Sequence, residues 1–285
     1  MFDCFTFNDR LYLLELRLNL LNDVVEKFVI VECDRTYTGQ PKELVFAKNK
    51  HLFTRFLDKI IYIQYEFQPQ DGAGLGVQAW HNEGKQRNAI LDALKISQPS
   101  DGLFFISDED EIPRPEKLLE AKALALQSQL PIAISVSNCM YYLNFASDAP
   151  YWGPYLYFPS KAKQFHDSFT NDSGLHPDSD PTTFRWHVSN VENDFVQVHN
   201  GGWHFSMTGG LNVMRKKLVD STHVEFNIPE IRSDEHLLNC IREGVPYYEK
   251  LFKFKNEELR FSKRDPSFLP AYVQENINRF EEYIL

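Results

Sequence analysis

The sequence predicts a single α/β domain, its sheet largely parallel in the first half and antiparallel, with added helices, in the second. Short apolar runs rich in β-branched residues alternate with stretches of helical spacing up to residue 107. Polar segments follow three of those runs, as expected where ligands gather at the carboxyl ends of parallel strands. From residue 131 the texture changes to longer alternating runs. There are no repeats and no low-complexity linkers, so residues 1–285 read as one domain, whose texture divides it into 1–130 and 131–285, the second part ending in a closing helix.

Residues 2–7 (FDCFTF) read as the first strand. Asn8-Asp9 then starts a helix over DRLYLLELRLNLL, where Leu11, Leu14, Leu18 and Leu21 recur at helical spacing. FVIVE at 28–32 suits a strand covered on both faces, and the polar loop CDRTYTGQPK follows it. KIIYIQY at 59–65 is a third strand, and a stretch with Gly72, Gly74 and Gly76 leads to a helix near 80–96. On that helix Arg87, Leu91 and Leu94 share one stripe, which puts an arginine beside core positions. GLFFIS at 102–107 is the fourth strand. IAISVSNCMYYLNF, TTFRWHVSN and FVQVHNGGWHFS then read as antiparallel strands. Helices are expected at 211–221 and 233–244, with a closing helix at 270–283.

Composition narrows the function. A formal charge of −10 argues against a nucleic-acid groove, which needs clustered Lys and Arg. Cys4, Cys33, Cys139 and Cys240 form no CxxC pair and read as reduced, buried thiols. No basic leader and no run of about 18 apolar residues is present, so a transmembrane segment is not expected. The expected location is the cytoplasm, or the inner face of a membrane as a peripheral protein. The aromatic content of 14% suits a sugar cleft but is more simply explained by core packing.

The chemistry concentrates in FFISDEDEIPRP. Asp108, Glu109, Asp110 and Glu111 follow a buried strand, and Pro113 is expected to stop its ladder. Such a cluster is tolerable when a divalent cation neutralises it, and carboxylates suit Mn²⁺ or Mg²⁺. The plainer alternative is that the acids favour the amino end of a helix starting near Pro115.

GKQRNAILDAL followed by GLFFISDEDEIP resembles GT-A glycosyltransferases, in which an arginine-bearing helix precedes a strand ending in a DxD motif. FNDRLYLLELRLNLLNDVVEKFVIVECDRTYTGQPKEL, SDEDEIPRPEKL and GGWHFS together resemble glycosyltransferase family seventeen, the family of the bisecting β-1,4-mannosyl-glycoprotein N-acetylglucosaminyltransferase, up to about residue 245. The resemblance implies a GT-A-type Rossmann-like mixed sheet flanked by helices, with an antiparallel and helical C-terminal part. It also implies a divalent metal, a UDP-sugar donor (UDP-N-acetylglucosamine or another) and inverting transfer to a glycan acceptor. Animal members carry a membrane anchor and act on N-glycans. The lack of an anchor here points instead to a bacterial or viral enzyme building a surface glycan.

Roles follow from that reading. Asp108 and Asp110 are expected to hold the metal and diphosphate, Asp108 near the ribose, with His204 completing the metal site and Gly201 and Gly202 permitting close backbone approach. Glu32, Arg35, Thr36 and Arg87 are assigned to the donor, and Trp203 to a sugar-stacking wall or the core. The base is sought in Glu225, beside His223, ahead of Asp234 and Glu235, which also suit a helix start after Ser233. Glu109 is expected to point away from the site by strand alternation. The alternatives are a sugar-nucleotide nucleotidyltransferase, which would carry a glycine-rich loop after its first strand, and a non-catalytic sugar-binding protein.

Overall fold

The computed structural model describes residues 1–67, 75–159, 195–249 and 259–285. β1 (Phe2–Phe7), β2 (Lys27–Cys33), β3 (Ile60–Tyr65) and β4 (Phe104–Asp108) are parallel neighbours in the order β3-β2-β1-β4. Their side chains alternate between two cores. Phe5, Phe7, Phe28, Ile30 and Phe105 pack against α1 (Leu11–Leu21) through Leu14, Leu18 and Leu21. Phe2, Cys4, Val29, Val31, Phe104 and Ile106 pack on the opposite face against Ile90 and Ala93. Each such side chain, fully removed from water, contributes about 1.5–3 kcal/mol, so both faces are firmly specified.

α1 is buried on more than its predicted stripe, because Leu13 and Leu16 enter a further core with Trp203, Phe205 and Val273. The expected helix near 80–96 begins earlier as α3 (Leu75–Asn88), after the short α2 (Val45–Asn49), and tightens to a 3₁₀ segment over Ala89–Lys95. Arg87, Leu91 and Leu94 therefore do not share a single α-helical stripe, although Leu91 and Leu94 still pack on the second core.

The second half extends the same sheet. β4 pairs antiparallel with β7 (Phe145–Tyr157), which pairs antiparallel with β6 (Ile132–Met140). β8 (Val196–Val198) and β9 (Gly202–Ser206), expected to be antiparallel, both run parallel to β6. The TTFRWHVSN stretch lies outside the described residues. Pro113 does not end the ladder: it belongs to β5 (Glu111–Pro113), whose pairing is with β9 at the sheet edge, where a missing N–H is tolerated. Gly202 makes that pairing possible, since a Cβ there would stand 2.2 Å from the Ile112 carbonyl oxygen.

α4 (Pro115–Ser128) covers the first core, with its proline where a helix needs no N–H. α5 (Gly210–Asp220), α6 (Pro229–Arg232) and α7 (Asp234–Glu243) complete the C-terminal layer, and β10 (Phe261–Lys263) pairs with β7. The predicted closing helix is broken into α8 (Ala271–Glu275), α9 (Ile277–Phe280) and a 3₁₀ turn, Glu281–Tyr283. No described helix is long and apolar enough to cross a membrane, and the four cysteines are buried free thiols.

Candidate active site

A cleft of about 560 Å³ opens at the carboxyl ends of β1, β2 and β4, where the three polar segments were expected to meet. Asn8, Asp9 and Arg10 follow β1 into it, Arg35, Thr36 and Tyr37 follow β2, and Asp108, Glu109 and Asp110 follow β4. The far wall comes from the second half and includes Tyr151, Trp152, His204, Lys216, Lys217 and His223.

The acidic turn is held from beneath by Arg17, fully buried in α1. Its guanidinium donates to both carboxylate oxygens of Asp3 at 2.8 and 2.5 Å and to Ser107 Oγ at 2.6 Å. It also donates to the backbone oxygens of Asp108 and Glu111 at 2.9 and 3.0 Å, on either side of the turn. Glu111, buried, accepts from the Asp108 N–H at 2.9 Å. The turn is thus fixed by groups that never face the cleft.

Within the turn the strand has ended, so alternation no longer applies. Glu109 does not point away: its carboxylate accepts from Arg10 Nε at 2.7 Å and from the Asn8 N–H at 2.9 Å. Arg10 Nη2 donates to Asp110 at 2.7 Å, and Lys217 Nζ donates to the same Asp110 oxygen at 2.8 Å. Burial pushes both acids toward neutrality. For Asp110, Lys217 and Arg10 more than reverse this and hold it well below the usual carboxylate range, whereas Glu109 stays raised despite Arg10. Arg87, 2% exposed, donates to Asp108 at 2.7 Å and to Glu83 at 3.0 Å.

The metal site expected from the sequence is not assembled. Asp110 Oδ1 and His204 Nε2 stand 3.8 Å apart, but Asp108 is turned to Arg87 and Asp110 Oδ2 faces two protein cations. Among the described residues no group of three or more His, Cys, Asp or Glu side chains is placed to hold a metal ion. As folded, Asp108 and Asp110 meet protein cations rather than a divalent ion. Their charge is balanced by Arg and Lys.

Of the assigned donor residues, Arg35, Thr36, Arg87 and Asp108 line the cleft, with Asp110 and His204. Glu32 does not. It is fully buried, accepting from the Phe46 and Ala47 N–H groups at 3.0 and 3.4 Å and from the Tyr62 hydroxyl at 2.7 Å. It caps the amino end of α2 rather than meeting uridine. Trp203 is also corrected: 2% exposed, it donates Nε1–H to the Phe268 carbonyl at 3.0 Å, and the Arg114 guanidinium lies 3.9 Å over its ring. It is a core residue.

The base candidates separate as well. Asp234 is paired with Arg215, and neither it nor Glu235 lines the cleft. Glu225 also lies outside the lining, but its carboxylate is 2.7 Å from Nδ1 of His223, which does line it. The His223 ring packs between Trp80 (centroids 4.9 Å, edge-on) and Phe226 (5.2 Å, stacked). Sequence reasoning missed Arg10, Arg17, Trp80, Lys216 and Lys217. Arg10 was within reach, since it directly follows the polar pair at the end of β1.

An open α/β sheet with a cleft of matched Arg, Lys and carboxylate groups at its switch point is an arrangement suited to binding a charged small molecule. The chain belongs to glycosyltransferase family 17, whose sequence profile matches residues 1–285. The human and rat proteins named β-1,4-mannosyl-glycoprotein 4-β-N-acetylglucosaminyltransferase are each 30% identical to it over 121 residues, which is 40% of this chain and 22% of theirs. The matched stretch thus spans about a fifth of those relatives. Among solved structures, a protein described as a nucleotide-diphospho-sugar transferase from Desulfovibrio desulfuricans G20 is similar at 12% identity, TM-score 0.35, over 100% of this chain and 98% of that one. Rv0371c of Mycobacterium tuberculosis is similar at 10% identity, TM-score 0.38, over 73% and 88%.

Proposed function

We propose that this family 17 chain is a glycosyltransferase, transferring N-acetylglucosamine from a UDP-sugar to a hydroxyl of a glycan acceptor, with inversion at the anomeric carbon to give a β-linkage, on a GT-A-type fold. The observation that carries the reading is the cleft: the ends of β2 and β4 bring Arg35, Thr36 and the acidic turn to one edge, where Arg87 of α3 joins them, opposite an aromatic wall with Tyr151 and Trp152. The named activity of the family relatives supports the choice of sugar.

In the reaction the acceptor oxygen attacks the anomeric carbon, the bond from that carbon to the phosphate oxygen breaks, UDP leaves, and the hydroxyl proton passes to a base. His223 is the base in this proposal, with Glu225 holding its Nδ1 and leaving Nε2 for the proton. Tyr151, stacked on His204 at 4.1 Å, offers a flat face to a sugar ring. His223→Gln is expected to retain UDP binding and lose transfer. A fully active His223→Gln enzyme moves the base elsewhere.

A divalent cation, Mn²⁺ or Mg²⁺, enters the proposal as a ligand and not as a step, because Asp110 must first exchange a protein cation to accept it. UDP titrated into the wild type with Mn²⁺, with EDTA, and into Asp110→Ala is expected to bind tightly only in the first case. Equal affinity in all three removes the cation from the account.

A further inference from the structure

We infer that Lys216 and Lys217 of α5 are the residues that take the charge of the donor diphosphate, an inference that rests on the nucleoside-diphosphate reading above. Among the described residues six Lys and Arg side chains line the cleft: Arg10, Arg35, Lys42, Arg87, Lys216 and Lys217. Four of them are committed to the fold. Arg10 and Arg87 are buried and bound to carboxylates, Arg35 donates to the carbonyl of Gly39 in its own loop, and Lys42 donates to the carbonyl of Asn8 at 3.0 Å.

Lys216 and Lys217 differ in kind. Their side chains are 48% and 32% exposed, and their ammonium groups reach from the second half of the chain across to acids at the ends of two neighbouring strands. Lys216 Nζ lies 2.8 Å from Asp9, after β1, and Lys217 Nζ lies 2.8 Å from Asp110, after β4. Neither acid is left bare when its lysine turns away: Asp110 keeps Arg10, which it shares with Glu109, and Asp9 is partly exposed. Lysine heads on flexible stems re-aim readily, whereas the buried guanidiniums do not.

Two adjacent cations thus bracket the gap between the β1 and β4 ends. An anion entering there without them would meet Asp9 without its lysine and Asp110 with Arg10, which Glu109 shares. Two linked phosphates satisfy both ammonium groups at once and draw Lys217 off Asp110, which keeps Arg10 as its partner. This accounts for two cations on one Asp110 oxygen, one a buried guanidinium and the other a partly exposed lysine on a flexible stem.

The test is calorimetric titration of the full chain with UDP and, separately, with uridine, in EDTA and again in Mn²⁺, for wild type, Lys216→Gln, Lys217→Gln and Lys217→Arg. Loss of one charge-assisted phosphate contact is expected to weaken UDP about tenfold or more in each Gln variant. Uridine affinity is expected to stay unchanged, and Lys217→Arg to bind UDP as the wild type does. Gln variants that bind UDP like the wild type overturn the inference and leave the donor reading intact. Equal losses for UDP and uridine also overturn it, since the lysines would then be holding the cleft together. A wild type that binds neither ligand overturns the donor reading as well.

Discussion

Replacing Arg17 by Met tests whether the acidic turn is held from the core. Arg17 makes five side-chain donations and is wholly buried, and its partner Asp3 is wholly buried too. Removing the guanidinium strands the Asp3 carboxylate and leaves the carbonyls of Asp108 and Glu111 without that donor. Breaking a buried pair from one side costs about 3–5 kcal/mol, which would consume much of the stability of a typical domain. Urea unfolding at neutral pH measures it. The double variant Asp3→Asn/Arg17→Met removes the stranded charge and is expected to recover about 1–3 kcal/mol of the loss, since the remaining penalty is that of unmade hydrogen bonds. A loss under about 1 kcal/mol in Arg17→Met, where a surface residue would fall, refutes the claim that this residue fixes the turn.

Two further outcomes follow from the same geometry. Asp110 has a lowered folded pKa, so its stabilisation is full above its unfolded pKa of about 3.9 and is lost as pH falls through the lower folded value. Glu109 is raised and acts with the opposite sign, so the difference between wild type and Asp110→Asn isolates the first effect. That gap, read by urea unfolding, is expected to be wide at neutral pH and to narrow below about pH 4, and a gap constant down to pH 2.5 contradicts the assignment. Glu32→Gln is expected to cost about 1–3 kcal/mol by weakening the cap on α2, while uridine binds within twofold of wild type. A selective loss of uridine affinity with unchanged stability returns Glu32 to the ligand site.

The parallel half of the sheet was legible because each strand carries its own signal: apolar runs such as FVIVE close with polar residues at the edge where the cleft opens. The C-terminal strands were not. β9 lies beside β6 and β5, and nothing in GGWHFS states that its neighbour runs parallel. Glu32 shows the limit within the site. A strand-end acid looks the same in sequence whether it meets a ligand or, as here, the N–H groups of Phe46 and Ala47 in the helix that follows. Lys217 shows the converse: in LNVMRKKLVDS it reads as a surface lysine, and its partner Asp110 lies 107 residues earlier. Arg17 sat among leucines at helical spacing, and only the packed structure shows it beneath Asp108 and Glu111.

The most direct test of the central claim is UDP release measured with the full chain across a panel of UDP-sugars, with Mn²⁺ present and a glycan acceptor supplied. The account predicts release with UDP-N-acetylglucosamine that falls in His223→Gln and Lys217→Gln. Release with no UDP-sugar, together with no UDP binding by the wild type, would contradict it.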